Sequence, residues 1–132
     1  MKKYAKCLLK DITIIIPTYY RFNFLKRLLS FYESYDYKIN IIILDSTPKS
    51  LKKDNDLLNF LSKNNILYIQ YNENIQFVDK VYSGLKKVKT KYSVLCADDD
   101  FMIPEGLDKS INFLESNLDY ISAHGIYFQH SL

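Results

Sequence analysis

Residues 12–16 read Ile12-Thr13-Ile14-Ile15-Ile16, and residues 39–44 read Ile39-Asn40-Ile41-Ile42-Ile43-Leu44. Both stretches are almost continuously apolar, which is typical of β-strands that helices cover on both faces. Helical patterns separate these stretches from further strand-like runs along the chain. Because strands that alternate with helices pair in parallel through right-handed crossovers, we expect an α/β protein with a mostly parallel sheet flanked by helices.

Five strands and four helices are predicted within one domain, residues 1–132, since this length suits a single core. The strands are expected at residues 11–16, 38–44, 66–71, 92–97 and 119 to about 124. The helices are expected at residues 22–34, about 54–63, 77–88 and 104 to about 117. Apolar spacing of three and four residues assigns these side chains to the inward helix faces: Phe24, Leu25, Leu28, Leu29, Tyr32, Leu57, Leu58, Leu61, Phe77, Val78, Val81, Leu85 and Val88.

The composition indicates a soluble globular protein, with 48% apolar residues, 25% charged residues and a formal net charge of +3. Its lysine clusters fit solvated ends of helices and strands better than a nucleic-acid surface, so no nucleic-acid partner is expected. Peripheral contact with an anionic membrane through the N-terminal lysines, or contact between copies of the chain, stays open. No run reaches transmembrane length, no secretory segment is visible, and Cys7 and Cys96 have no Cys-x-x-Cys partner, so we expect a cytoplasmic protein with reduced thiols.

Three consecutive carboxylates, Asp98-Asp99-Asp100, follow directly on the apolar run at residues 92–97. Adjacent like charges repel, and a folded site tolerates them when a cation, a proton or strong donors compensate. A hard divalent ion that also binds phosphate is one compensator. The alternative is a solvated acidic turn ahead of the helix that Pro104 opens, because negative charge suits a helix N-terminus.

Polar clusters follow three of the predicted strands, at residues 17–21, 45–47 and 98–100. Ligands of open parallel sheets bind beyond the carboxyl ends of the strands, and we expect the three clusters to meet there. Each cluster taken singly could be ordinary turn chemistry. The chain has three glycines, and neither a dinucleotide turn nor a phosphate-binding loop is present. This absence favours a metal on the aspartates as the group that neutralises phosphate.

The same three clusters carry a resemblance to a known family. Residues 12–21 resemble the opening of inverting family 2 glycosyltransferases of the GT-A fold, in which an apolar strand is followed by Pro-Thr-Tyr-Asn-Arg. Residues 41–46 are similar to their second strand with its terminal acid. Residues 96–105 resemble their DXD-like aspartate motif followed by a proline-started helix. The resemblance covers residues 11 to about 125 and implies a Rossmann-like fold of the nucleotide-diphospho-sugar transferase type.

The resemblance implies transfer of a sugar from a nucleoside-diphosphate sugar to a glycan, lipid or protein acceptor, with inversion and with Mn²⁺ or Mg²⁺ as cofactor. In this sequence Thr18, Tyr20 and Arg21 would border the nucleobase, and Asp45 would accept a hydrogen bond from it. Asp98 would face the ribose or the water shell of the metal. Asp99 is the expected direct metal ligand, with Asp100 as the competing choice. The implied nucleotide-sugar contacts are Pro17, Thr18, Tyr20, Arg21, Asp45, Lys80 and Asp98.

The sequence also departs from the family pattern. Tyr20 stands at the usual asparagine, and Lys80 and Gly84 are the nearest counterparts of an Arg-Asn-x-Gly stretch. The family's catalytic base and acceptor loops lie well downstream of the aspartates, so we expect a truncated, donor-binding portion and assign no catalytic base. The alternative is a non-catalytic domain that binds a nucleotide sugar or a partner protein.

Overall fold

The computed structural model describes residues 8–35, 39–49 and 54–128. After a 3-10 turn at Leu8–Asp11, the strands are β1 (Ile12–Thr18), β2 (Asn40–Asp45), β3 (Ile66–Gln70) and β4 (Tyr92–Leu95). The helices are α1 (Phe22–Glu33), α2 (Asn55–Leu61), α3 (Phe77–Leu85) and α4 (Pro104–Ser116). None of the helices within the described ranges is long and apolar enough to cross a membrane. Cys7, the N-terminal lysines before Leu8 and the predicted start of the second strand at residue 38 lie outside those ranges.

The described strands form a four-stranded sheet in the order β3-β2-β1-β4. Every neighbouring pair is parallel, which confirms the predicted parallel α/β architecture. The register places Thr18 beside Asp45, and Asp45 beside Gln70. Ile15 pairs with Leu95, so the chain beyond β4 leaves the sheet next to the end of β1. The polar clusters after β1, β2 and β4 therefore share one edge, as predicted.

One face of the sheet carries the main core. Ile14 and Ile16 of β1 pack there against α1, α2 and α4. The helices contribute fully or almost fully buried side chains, among them Leu25, Leu28, Leu29, Leu57 and Ile111. Burying one such side chain stabilises a fold by about 1.5–3 kcal/mol. This layer fixes α1, and with it the loop that joins β1 to α1.

The opposite face is thinner and is covered by α3. Ile15, Ile42 and Leu44 form its small core. Gly84 brings α3 close to this face, since a Cβ built on it would lie 2.6 Å from Leu44 Cδ1. Lys80, one helical turn earlier, is also buried. The α3 residues that turn towards the sheet are therefore a lysine and a glycine.

The prediction for the inward face of α3 was wrong at three of five positions, whereas Val81 is partly buried and Val88, just after the helix, packs against the small core. Phe77, Val78 and Leu85 are 57%, 74% and 45% exposed. Apolar spacing predicted these three side chains to be buried. The positions of α3 that face the sheet are instead occupied by Gly84, which permits close approach, and by Lys80, which has polar partners. Two other helix positions predicted inward, Phe24 and Leu58, are also exposed, at 40% and 48%.

The predicted fifth strand was wrong as well. Residues 119–128 form no strand. The chain turns after α4 through a hydrogen bond from the Tyr120 N–H to the Asn117 carbonyl, and Ile121 is 99% exposed. A strand needs backbone partners, and no strand in the described residues pairs with this segment. A predicted extension to residue 130 reaches outside the described residues.

Candidate functional site

The loop after β1 makes a tight turn into α1. Tyr20 has a φ of 56°, and among the described residues it is the one non-glycine with a positive φ. Its N–H donates to Thr47 Oγ1 at 2.8 Å, which ties the end of β1 to the end of β2. Asparagine adopts this left-handed region several times more readily than most residues. The positive φ at this position therefore explains why the resembled motif usually has asparagine here.

Asp98 is buried beside Thr18, at the edge of the sheet where the strands end. The Thr18 hydroxyl donates to Asp98 Oδ2 at 2.7 Å, and Arg21 Nη1 lies 3.2 Å from Oδ1. The Asp98 side chain is 4% exposed. Burial raises the pKa of Asp98, and the Thr18 hydrogen bond and the Arg21 charge oppose that rise. Both oxygens of this carboxylate are engaged.

Asp99 is the open member of the aspartate triplet. Its Oδ2 accepts from Arg21 Nη2 at 2.7 Å, and its side chain is 42% exposed. This hydrogen bond holds the pKa of Asp99 below its usual range. The N–H of Asp100 donates to the Ala97 carbonyl at 3.2 Å, which turns the chain away from the sheet. One guanidinium group therefore joins two of the three aspartates.

The donor set fits a divalent ion in part. Across residues 8–35, 39–49 and 54–128, no group of three His, Cys, Asp or Glu side chains could hold a metal ion. Asp98 and Asp99 nevertheless converge on one cation, the Arg21 guanidinium. Mg²⁺ commonly uses one or two carboxylates and takes its remaining ligands from substrate phosphates and water. Such a pair of aspartates suits an ion that arrives with a diphosphate.

Lys80 connects α3 to the same edge. Its Nζ donates to the Thr18 carbonyl at 3.1 Å and to Ser46 Oγ at 2.9 Å, and the residue is 5% exposed. Burial lowers the pKa of Lys80, and the nearby carboxylates of Asp45 and Asp98 oppose this effect. The ammonium group is held by neutral oxygens, and within the described ranges it forms no direct ion pair.

A pocket of about 400 Å³ opens beyond the ends of β1 and β4. Five of the predicted contacts line it, and Tyr20, Asp45, Asp99 and Asp100 do not. The lining residues are Pro17, Thr18, Tyr19, Arg21, Phe77, Lys80, Leu95, Ala97 and Asp98. The pocket therefore combines two cations, one acid and a partly aromatic wall.

Asp45 is in a different environment, fully buried at the end of β2. Its Oδ1 accepts from the Thr47 N–H at 2.7 Å, and its Oδ2 lies 2.6 Å from the Tyr68 hydroxyl. The Gln70 amide donates to the Thr47 carbonyl at 2.6 Å and extends this network. Sequence reasoning did not identify Tyr68 and Gln70 as partners. Their spacing of two residues, which places both on one face of β3, was the available signal.

The fold and this edge define an α/β protein whose ligand site lies beyond the carboxyl ends of a parallel sheet. A family model described as glycosyl transferase family 2 matches residues 13–131. The chain belongs to glycosyl transferase family 2, and the predicted resemblance is confirmed.

A solved structure supports the fold. The crystal structure of TarS from S. aureus matches with a TM-score of 0.64 at 18% sequence identity. The match covers 80% of this chain and 20% of the TarS chain. At that identity the likeness shows the fold alone, and it confirms the predicted GT-A architecture. No curated protein matches the chain.

Proposed function

We propose that this domain binds a nucleoside-diphosphate sugar and takes part in transferring the sugar to an acceptor. The carrying observation is the pocket beyond β1 and β4, where Arg21, Lys80 and Asp98 meet. Membership of glycosyl transferase family 2 supports glycosyl transfer in general. The domain spans a fifth of the TarS chain, so the proposal concerns donor binding first and turnover second.

The nucleobase side is assigned to the loop after β1. Tyr19 and Tyr20 are about half exposed, and their rings meet edge to face with centroids 4.5 Å apart. This exposed aromatic pair, with Pro17 and Thr18, offers a surface on which a planar base can stack. The base hydrogen bond that we assign to Asp45 requires local opening, since its carboxylate is buried and bonded to Thr47 and Tyr68.

The diphosphate is assigned to the cationic part of the pocket. Arg21 and Lys80 both line the pocket and would supply charge-assisted hydrogen bonds to phosphate oxygens. Asp99 is the proposed ligand of Mn²⁺ or Mg²⁺, with Asp100 as the competing choice. The bound ion would neutralise charge on the leaving nucleoside diphosphate.

Transfer with inversion needs an acceptor hydroxyl to attack the anomeric carbon as the bond to the diphosphate oxygen breaks. A general base takes the hydroxyl proton. Asp98 is the one acid among the described residues that line the pocket, and both of its oxygens are occupied. This observation favours a second candidate function, in which the domain binds the donor and a separate group completes catalysis.

Calorimetric titration tests donor binding. The chain is titrated with UDP, GDP and CDP sugars, with and without Mn²⁺, beside Asp99→Ala and the control Asp119→Ala on the exposed segment after α4. We expect Mn²⁺-dependent binding of one nucleotide, weakened about tenfold or more in Asp99→Ala because a metal ligand is lost, and unchanged in the control. Absent heat contradicts the proposal, and equal binding by Asp99→Ala contradicts Asp99 as the metal ligand. Release of free sugar from the bound donor separates turnover from binding alone.

A further inference from the structure

Arg21 occupies the position between Asp98 and Asp99. Its Nη1 lies 3.2 Å from Asp98 Oδ1, and its Nη2 donates to Asp99 Oδ2 at 2.7 Å. One planar guanidinium thus spans two carboxylates, a geometry that adds directional hydrogen bonds to charge attraction. Its carbon also lies 4.4 Å from the centroid of the Phe24 ring, which supports the same orientation.

A divalent ion on Asp99 competes directly with this arrangement. The guanidinium already pairs with Asp99 Oδ2, and an ion on either oxygen of this carboxylate would lie close to a second cation. Two cations close together repel, so coordination of the ion is disfavoured while Arg21 stays on Asp99. Its side chain is 40% exposed, and it lines the pocket assigned to the diphosphate.

We propose that Arg21 is an internal counter-ion that holds the metal position in the ligand-free domain and moves to the diphosphate when donor and metal bind together. This inference rests on the proposed function. Metal alone must break the Arg21 ion pairs without compensation, whereas a diphosphate gives the guanidinium new partners. Metal and nucleotide binding are then coupled, and by linkage each strengthens the other by the same factor.

The test measures Mn²⁺ affinity by the electron paramagnetic resonance signal of free Mn²⁺, with and without UDP. The variants are Arg21→Met, which keeps chain length and removes the charge, and the control Arg27→Met. Arg27 lies 5.2 Å from the centroid of the same Phe24 ring, so the control removes a nearby positive charge. We expect Arg21→Met to bind Mn²⁺ alone about tenfold tighter than wild type, and UDP to raise Mn²⁺ affinity about tenfold in wild type but less than about threefold in Arg21→Met.

Arg27→Met is expected to stay within about twofold of wild type in both conditions. Equal Mn²⁺ affinity of Arg21→Met and wild type overturns the inference, while Mn²⁺-dependent UDP binding by the wild type keeps the proposed function. Failure of every variant to bind Mn²⁺ with any of UDP, GDP and CDP overturns both. Arg21→Lys is the second variant where Arg21→Met does not fold, and it is expected to bind Mn²⁺ alone tighter than wild type because it loses the two-pronged contact.

Discussion

Two carboxylates at the same edge of the sheet have opposite surroundings. Asp45 follows β2, is fully buried, and is bonded to a backbone N–H and a tyrosine hydroxyl. Asp99 follows the run that includes β4, is 42% exposed, and is bonded to an arginine that is itself 40% exposed. Both acids come after an apolar strand, so position alone does not separate them. The two acids differ in the groups that donate hydrogen bonds to their carboxylate oxygens.

The difference has a physical basis. A buried carboxylate with fixed neutral donors cannot release them without leaving polar groups unsatisfied. An exposed ion pair contributes little to stability, because water and salt compete for both partners. The end of β2 therefore suits a structural role, and the end of β4 suits exchange of one cation for another.

The largest expected effect comes from removing each carboxylate in turn. Asp45→Ala leaves the Thr47 N–H and the Tyr68 hydroxyl without this buried acceptor, and we expect the free energy of unfolding to fall by about 3 kcal/mol. Asp99→Ala loses an exposed ion pair, and we expect a fall of less than about 0.5 kcal/mol. Urea unfolding followed by circular dichroism measures both. Equal losses would remove the distinction between the two strand ends.

A smaller difference in stability is expected between two tyrosine hydrogen bonds near the end of β3, one to a carboxylate and one to a neutral hydroxyl. The Tyr68 hydroxyl lies 2.6 Å from the Asp45 carboxylate, whereas the Tyr71 hydroxyl lies 3.1 Å from Ser83 Oγ. We expect Tyr68→Phe to lower the free energy of unfolding by about 2 kcal/mol and Tyr71→Phe by about 1 kcal/mol or less. Denaturant midpoints at constant slope give the comparison. A larger loss in Tyr71→Phe would argue against the Asp45 network as the stronger contact.

The sheet and its edge could be predicted because their signals are local. The apolar runs of β1 and β2 and the alternation with helices predict parallel strands, and parallel strands bring Thr18, Asp45 and Asp98 to one edge. The aspartate triplet was correctly placed there. Within the described residues, Arg21 supplies the positive charge that pairs with Asp98 and Asp99, whereas the resemblance had placed Arg21 at the nucleobase.

The remaining features depend on contacts between distant residues. Apolar spacing could not show that Lys80 and Gly84 face the sheet, because this depends on the close approach of α3 to Leu44. The sequence also could not show that Tyr68, from another strand, donates a hydrogen bond to Asp45. The fifth strand was predicted from the alternation of strand-like runs with helices, but a strand forms only where another strand offers backbone partners.

The smallest effect concerns Tyr20, which joins the loop after β1 to the end of β2. A non-glycine residue at a φ of 56° is strained by about 1–2 kcal/mol, and asparagine tolerates this region better. We expect Tyr20→Asn to raise the free energy of unfolding by about 0.5–1 kcal/mol, since the backbone hydrogen bond to Thr47 is kept. Tyr19→Asn, at the neighbouring exposed position without a positive φ, is the matched control and should give no gain. Thermal and urea unfolding of both variants measure the effect. A gain in Tyr19→Asn would show that the stabilisation does not depend on the positive φ, and a loss in Tyr20→Asn would show that the tyrosine ring stabilises the loop by more than the strained φ destabilises it.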